Sequence, residues 1–566
     1  MKTSQVVFGA IKGLAGAIGD EYRRGTLGET LKKSRAHKTL AFADDMSQAQ
    51  LLEEKAGLFP ERPYLRFKGQ VFTYGKMDEN ANRAANFLLS LGGGPGKSAA
   101  IMMKNSPRWL DIFFGAQRTG MAAVPVNVAL RGAQLAHILN NSDAHVLAID
   151  HDLYPYYEKI KGELDAPPTV IIETNSAGDD YSLPEGAHSV DEIYGPNSSA
   201  KRPDVSPRDG DVCLLMYTSG TTGMPKGVVT RYGKTGVKTI ALMSRLMLKP
   251  EDVYFTCFPL FHANALLLTV TNAMHAGAQV ALSEKFSASR FWDEVYESGG
   301  TVFNGLGAMM PILMKQPVKE VEKKHKVTRV LSAACPADMW EPFEKRFGVE
   351  IIEGYGAVDG GGLIIMNWGQ APKGSLGKPI GSKIRIVDED MNDVPQGEPG
   401  ELIAWVGDRE IKVEYYKNEA ATSDKIRDGW LHTGDLVYAD EKGFLYFAGR
   451  KSESMRRRGE NISAYEVEHA ILQHPDVLEC AVFAVPSELA EDDVMAAIVP
   501  VEGKEVDPNE LAGFLSDQIA RFAVPRYYRI MKELPKTETH RVIKSVLGKE
   551  GVTEDTVDLE PGGKRS

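Results

Sequence analysis

Tyr217-Thr218-Ser219-Gly220-Thr221-Thr222-Gly223-Met224-Pro225-Lys226-Gly227 follows directly on Val212-Cys213-Leu214-Leu215-Met216, a short apolar run that reads as a buried strand. The chemistry of the loop after it suits a polyphosphate. The hydroxyls of Thr218, Ser219, Thr221 and Thr222 can donate to phosphate oxygens. Gly220, Gly223 and Gly227 let backbone N–H groups approach closely, and Lys226 adds charge. It is not a Walker A loop, because Pro225 takes the place of that motif's second glycine. A loop that was merely flexible would have no reason to end in Pro-Lys-Gly. A second glycine-rich stretch, Leu91-Gly92-Gly93-Gly94-Pro95-Gly96-Lys97-Ser98, lacks the first Walker glycine and follows a helix-like run, Ala84 to Leu91. It reads as a helix-to-strand turn.

Outward from the loop, apolar runs of strand length alternate with amphipathic stretches. Ala278 to Leu282, Arg329 to Ser332 and Glu350 to Glu353 read as strands; Ala288 to Glu297 and Pro336 to Phe347 read as helices. This alternation predicts α/β layers with largely parallel sheets. After Arg450 the texture changes. A charged linker, Lys451 to Arg458, leads to a helix from about Ser463 with Val467, Ala470 and Ile471 on one face. Two strands, Glu479 to Val485 and Val494 to Pro500, precede a helix from Asn509 to Ile519 that turns Leu511, Phe514, Leu515 and Ile519 inward. The expected division is therefore an N-terminal extension (1–44), a large region (45–450) and a small α+β domain (451–566).

Composition sets the outer limits. The 566 residues exceed what one core accommodates, and 43% apolar with 25% charged residues is the profile of a soluble globular chain. A net charge of −11 disfavours a nucleic-acid binder. The four cysteines, Cys213, Cys257, Cys335 and Cys480, form no CxxC pair, which fits a reducing cytoplasm without a disulfide framework or zinc site. The greasy stretch from Val6 to Ile18 is too short to cross a bilayer and contains Lys12. It reads as a surface helix or as a peripheral membrane contact. Oligomeric state stays open, a dimer included.

Further segments occur in a set order along the chain: Pro259-Leu260-Phe261-His262, Gly354-Tyr355-Gly356-Ala357-Val358-Asp359, Gly429-Trp430-Leu431-His432-Thr433-Gly434-Asp435, Gly449-Arg450 and Gly459-Glu460-Asn461-Ile462-Ser463. Together with Thr218 to Gly227 they resemble, from about Ser47 to Lys549, the adenylate-forming superfamily of acyl-CoA synthetases, luciferases and peptide-synthetase adenylation domains. Asn127-Val128-Ala129-Leu130-Arg131-Gly132 with Leu135-Ala136-His137 is similar to the fatty-acid-transport and carnitine-CoA ligase branches. Lys285 to Trp292 is similar to very-long-chain acyl-CoA synthetases.

The resemblance implies a layered α/β region with a distorted β-barrel and a small mobile C-terminal domain. It also implies an ATP-dependent acid:CoA ligase acting on a fatty or other hydrophobic acid through an acyl-adenylate, with Mg²⁺ and coenzyme A. On this reading Lys226 and the loop residues Thr218 to Gly223 hold the β- and γ-phosphates. Tyr355 and Gly356 meet the adenine, Asp435 and Arg450 the ribose, and Asp359 the magnesium. His262, Gly305, Gly307 and Ala308 line the acid pocket. Gly459 lets the pantetheine arm pass close to the backbone, Glu460 beside it belongs to the cofactor-binding set, and one or more of Arg456, Arg457 and Arg458 meets CoA phosphates or simply faces solvent. Ser452 aligns with the pivot on which the small domain turns.

Three positions depart from the family pattern. Val358 replaces a threonine that contacts the α-phosphate, Asp359 replaces a glutamate, and Arg541 stands in the register of the adenylation lysine, with Lys544 as a fallback. A lost hydrogen bond to a charged phosphate costs about 1.5–3 kcal/mol. These changes motivate two alternatives: a nucleotide- or CoA-binding homologue with weak or no turnover, and, within adenylate chemistry, a ligase that loads a carrier-protein thiol.

Overall fold

The apolar run at the head of the loop forms the strand Val212–Thr218, which pairs antiparallel with Lys226–Arg231 at one edge of a seven-stranded sheet. The remaining strands of that sheet run in the order His188–Ser189, Thr169–Glu173, Ala144–Asp150, Ser98–Met102 and Ala122–Pro125, all parallel, and the last of them pairs with Val212–Thr218. This computed structural model describes the chain apart from residues 1–45, 176–180, 197, 219–223, 235–243, 245–246, 308, 361, 370, 381–382, 408–412, 458–459, 487–491, 517, 538–541 and 560–566. It also leaves out the side chains of Ser452, Ser454, Arg456, Arg457, Glu460 and Asn461. The N-terminal stretch from Val6 to Ile18 thus lies outside the described residues.

A second sheet has nine strands. Its parallel centre is Glu350–Ala357, Arg329–Ala333, Val302–Leu306, Val253–Thr256, Gln279–Leu282 and Pro63–Phe67. Gly362–Asn367 and Lys378–Pro379 add antiparallel strands at one edge, and Gln70–Thr73 at the other. A five-stranded antiparallel sheet, built from Ile384–Val387, Gly400–Trp405, Trp430–Ala439, Ile426–Arg427 and Leu445–Arg450, supplies the half-barrel.

The main core is gathered by two helices, Tyr74–Ser90 and Pro107–Arg118, packed face to face. The second starts where its sequence says it should: the Ser106 hydroxyl accepts from the Trp109 N–H at 3.2 Å, and Pro107 occupies the first turn. Trp109, Phe113 and Phe114 are fully buried, each contributing about 1.5–3 kcal/mol. Gly115 has to be small here, since a Cβ would sit 2.7 Å from the Ala84 methyl. The turn at Gly92 to Lys97 does join the helix Tyr74–Ser90 to the strand Ser98–Met102, so the Walker-like stretch is a connection.

Beyond Arg450 the fold has its own interior. Val477–Pro486, Asp492–Pro500, Tyr527–Ile530 and Thr556–Asp558 form a four-stranded sheet. The helices Ala464–Leu472 and Pro508–Ser516 cover one face, burying Val467, Ile471, Leu511 and Leu515 against Val482 and Ile498. The charged linker is not extended chain: Ser454–Arg457 pairs antiparallel with Glu460–Ser463 as a hairpin. Met455 and Ile462, one on each strand and both buried, tie this hairpin to the core of the domain. Among the described residues no helix is long and apolar enough to cross a membrane.

Candidate active site

The phosphate-loop candidate is closed at its base by sheet pairing, with Thr218 opposite Lys226 as the last pair of the ladder. The residues between them, Ser219 to Gly223, lie outside the described part. The loop's far end is held by His137, whose Nε2 lies 3.0 Å from the Pro225 carbonyl oxygen. Tyr217 donates its hydroxyl to Asn141 Oδ1 at 2.6 Å, which fixes the strand just before the loop.

Tyr355 and Asp435, on strands of different sheets, are joined directly: the Tyr355 hydroxyl donates to Asp435 Oδ2 at 2.6 Å. Asp435 is paired in the sheet with Arg450, whose Nε lies 3.3 Å from Oδ1. The carboxylate is aimed by the turn before it. Gly434 has φ +77°, and the Thr433 hydroxyl accepts the Asp435 N–H at 3.1 Å while donating to the Leu402 carbonyl at 2.6 Å. Glu401 backs this turn, accepting the Gly434 N–H at 3.2 Å and lying 3.2 Å from His432 Nδ1. Gly356 sits where the strand approaches its neighbour so closely that a Cβ would lie 2.2 Å from the Gly362 carbonyl oxygen.

Asp359 faces the base of the phosphate loop from the other side. Its Oδ2 accepts from the Tyr415 hydroxyl at 2.8 Å and lies 3.5 Å from the Lys425 ammonium. The Lys226 ammonium is 5.3 Å from the centre of the Tyr415 ring. Val358 packs against the small apolar cluster formed by Val228, Tyr415 and Ala421. An apolar residue at this position is therefore part of the wall that seats Tyr415. Among the described residues no group of three or more His, Cys, Asp or Glu gathers as a metal cage. A lone carboxylate such as Asp359 suits magnesium, which is held mostly by phosphate oxygens and water.

His262 caps the short helix Ala263–Ala265, which continues as a π-turn, Leu266–Thr271. Asn304 on the strand Val302–Leu306 holds this irregular segment, donating to Asn264 Oδ1 at 2.7 Å and to the Thr269 hydroxyl at 2.8 Å. Burial pushes the His262 imidazole down to about 4, so it is neutral, and its Nε2 is enclosed without a hydrogen-bond partner among the described residues. Gly305 and Gly307 are needed for close packing. A Cβ at Gly305 would lie 2.6 Å from the Met310 methyl, and one at Gly307 would lie 2.1 Å from the Ala334 carbonyl oxygen. Ala308 is outside the described residues.

Ala334 is a non-glycine residue at φ +65°, and Glu353 holds it there. The Glu353 carboxylate accepts the N–H of Ala334 through Oε1 and that of Cys335 at 3.3 Å through Oε2. Burial raises Glu353 from its ordinary 4.5 to about 7. A carboxyl whose folded value is raised stabilises the fold fully below its unfolded value and loses that contribution as pH climbs through the folded one. Urea unfolding of the protein and of Glu353→Gln at pH 4.5 and pH 8 should therefore show the native chain's advantage shrinking by up to about 3 kcal/mol at the higher pH. An advantage that stays constant or grows would place the charge of Glu353 elsewhere.

At the junction of the two regions, neighbouring side chains pull opposite ways. Lys451 reaches back, its ammonium 3.5 Å from Glu401 Oε2. Glu453 is tied forward to Lys544, which is also 2.8 Å from Glu468 Oε1. Residue 452 lies between the two attachments. Lys544 is thus engaged inside the small domain, and the fallback role for it finds no support in this arrangement. Arg541 and Gly459 lie outside the described residues, as does the Glu460 side chain, whose backbone opens the second strand of the hairpin.

Sequence reasoning missed Tyr415, Lys425, Glu353 and Glu401. The first two lie in Val413-Glu414-Tyr415-Tyr416-Lys417-Asn418 and at the end of a short helix, where nothing in the pattern announces a site. His137 lay within a quoted stretch, but its contact with the loop was not legible.

The chain matches the family described as AMP-binding enzyme over residues 52–407 and the AMP-binding enzyme C-terminal domain over residues 466–541. It is 34% identical over 517 residues to a steroid-22-oyl-CoA synthetase of Rhodococcus jostii (strain RHA1), which covers 88% of this chain and 90% of that one. It is 30% identical over 514 residues to a crotonobetaine/carnitine–CoA ligase of Salmonella choleraesuis (strain SC-B67), covering 88% and 98%. Among solved structures, an anthranilate CoA ligase in complex with anthranoyl-AMP superposes with a TM-score of 0.78 at 25% identity, over 89% of this chain and 97% of that one. Matches that run from residue 52 to residue 541 span both regions of the fold, and the protein therefore belongs to the AMP-binding enzymes, as an AMP-forming acid–CoA ligase.

Proposed function

We propose that this ligase activates a large hydrophobic carboxylic acid, with steroid side-chain and long-chain fatty acids as the substrate class. The observation that carries this reading is the setting of His262: a neutral, enclosed imidazole beside the Phe261 ring, followed by a segment rich in Leu and Ala. An uncharged apolar wall suits a hydrocarbon body and offers a quaternary ammonium no counter-charge. Identity to the steroid-22-oyl-CoA synthetase, somewhat above that to the carnitine ligase, points the same way.

The chemistry starts from a poor electrophile, so the acid must first become a mixed anhydride. A carboxylate oxygen attacks the α-phosphorus of ATP, the bond to the bridging oxygen breaks, and pyrophosphate leaves. The sulfur of coenzyme A then attacks the acyl carbon and AMP departs. Residues 45–450 bind ATP and the acid, and residues 451–566 close over them as a lid turning about residue 452. Thr218 and Lys226 grip the β- and γ-phosphates together with the loop between them, Asp435 takes the ribose hydroxyls, and Tyr355 lies against the base. Magnesium, when bound, supplies charge neutralisation across the phosphates; Asp359 would hold it. Most of the rate then comes from placing two anions in line and offsetting their charge.

The test is AMP and acyl-CoA formation across short, aromatic, quaternary-ammonium, long-chain and steroid acids. Hydrophobic acids are expected to exceed the short and cationic ones by about ten-fold or more in kcat/KM. Preference for a carnitine-like or short acid would overturn the assignment.

A further inference from the structure

Tyr415 stands between two ammonium groups, Lys226 over its ring face at 5.3 Å and Lys425 beside the Asp359 oxygen that its hydroxyl binds. Three backbone features fix it there. Tyr415 forms a bridge with Val228, its N–H donates to the Thr422 hydroxyl at 2.9 Å, and the next residue's N–H donates to the Gly227 carbonyl at 2.8 Å. Residues 414–416 thus extend the edge of the sheet that carries the phosphate loop. Lys425 ends the helix Glu419–Lys425, whose start is capped by Asn418 Oδ1 accepting the Ala421 N–H at 2.9 Å.

We propose that Lys425 is a second triphosphate-binding cation of the nucleotide site, and that Tyr415 is the positioning residue that holds Asp359 between it and Lys226. The proposal rests on the reading of Asp359 as the magnesium carboxylate. Its basis is the state of the Lys425–Asp359 pair. At 3.5 Å it is longer than the 2.7–2.9 Å or so of a charge-assisted hydrogen bond, so the ammonium's donors are not committed to the carboxylate. Yet Lys425 is only 17% exposed, and Asp359 is its one ion pair among the described residues. A partly buried cation requires an anionic partner. If Asp359 turns to a metal ion, that partner is lost, and a triphosphate resting against Lys226 is the anion placed to replace it. The loop lysine alone leaves net negative charge on ATP, and a second lysine offsets part of the rest. Val358 fits the same arrangement, because it packs against the apolar cluster of Val228, Tyr415 and Ala421 on which the ring and the helix that bear these groups are seated.

Calorimetric titration of the full chain with ATP at varied Mg²⁺, and separately with AMP, tests this without acid or CoA. Lys425→Met is expected to weaken ATP binding about ten-fold or more, since a charged hydrogen bond is lost, while AMP binding changes less than about two-fold. Lys425→Arg should keep ATP binding within about three-fold, the charge being retained. Tyr415→Phe should leave AMP binding unchanged and raise several-fold the Mg²⁺ concentration giving half-maximal ATP binding. Lys425→Gln serves if the methionine variant does not fold. Unchanged ATP affinity on removing the charge would mean that Lys425 only neutralises Asp359, and equal losses for ATP and AMP would mean general distortion; either overturns the proposal. Native protein that binds ATP without any Mg²⁺ dependence would instead overturn the reading of Asp359.

Discussion

Asp435→Asn is expected to lower kcat/KM for ATP by about two to three orders of magnitude with the fold intact. The carboxylate is 9% exposed, takes a 2.6 Å hydrogen bond from Tyr355 and lies beside the Arg450 guanidinium. On the proposed reading two ribose hydroxyls, both donors, meet this side chain, and a carboxylate can accept from both. Asparagine keeps the shape but offers one accepting oxygen and turns a donor toward the second hydroxyl. Losing one hydrogen bond to a charged group costs about 1.5–3 kcal/mol, and the bond that remains, no longer to a charge, weakens by about 1 kcal/mol, which together give the expected range. Steady-state kinetics with ATP varied, alongside thermal unfolding, reads the effect. A loss below about ten-fold with normal unfolding would remove Asp435 from the nucleotide site.

The second large effect is expected at Asp359. Asp359→Ala should reduce kcat by about a hundred-fold or more and raise the magnesium requirement, because on the proposed reading it removes the carboxylate that would hold the metal and so weakens the neutralisation of phosphate charge. Asp359→Glu separates two readings of the shorter side chain. If aspartate reaches the metal through water, glutamate should support activity within several-fold of the native chain. If Tyr415 and Lys425 set the reach, the longer side chain breaks the 2.8 Å bond to the Tyr415 hydroxyl and activity falls further. A kcat unchanged in Asp359→Ala over a full magnesium titration would mean that the carboxylate serves the wall of the site and not its metal.

Much of the architecture follows from local pattern. Val212 to Met216 is a strand because it is apolar, short and followed by glycines, and Ser106-Pro107 starts a helix because of what each residue does at a helix terminus. What escaped was contact between segments far apart in sequence. Nothing near Tyr415 hints that its hydroxyl meets Asp359, 56 positions away, or that Ala334 owes its left-handed backbone to Glu353. The charged run after Arg450 read as a linker because charge says surface, whereas its strands pair as a hairpin that buries Met455 and Ile462 in the core of the small domain. Gly305 and Gly307, expected at the acid pocket, also each meet a neighbour that leaves no space for a Cβ, which no local pattern announces.

The account turns on an acyl-adenylate formed by this chain, and oxygen labelling follows that bond directly. A long-chain or steroid acid labelled in both carboxylate oxygens is incubated with ATP, Mg²⁺ and coenzyme A, and the products are separated by mass. The account predicts one labelled oxygen in AMP, the other in the acyl-CoA carbonyl, and none in pyrophosphate. Label recovered in inorganic phosphate together with ADP would mean acyl-phosphate chemistry, and no product from any acid under conditions where ATP binds would mean a nucleotide-binding homologue without turnover.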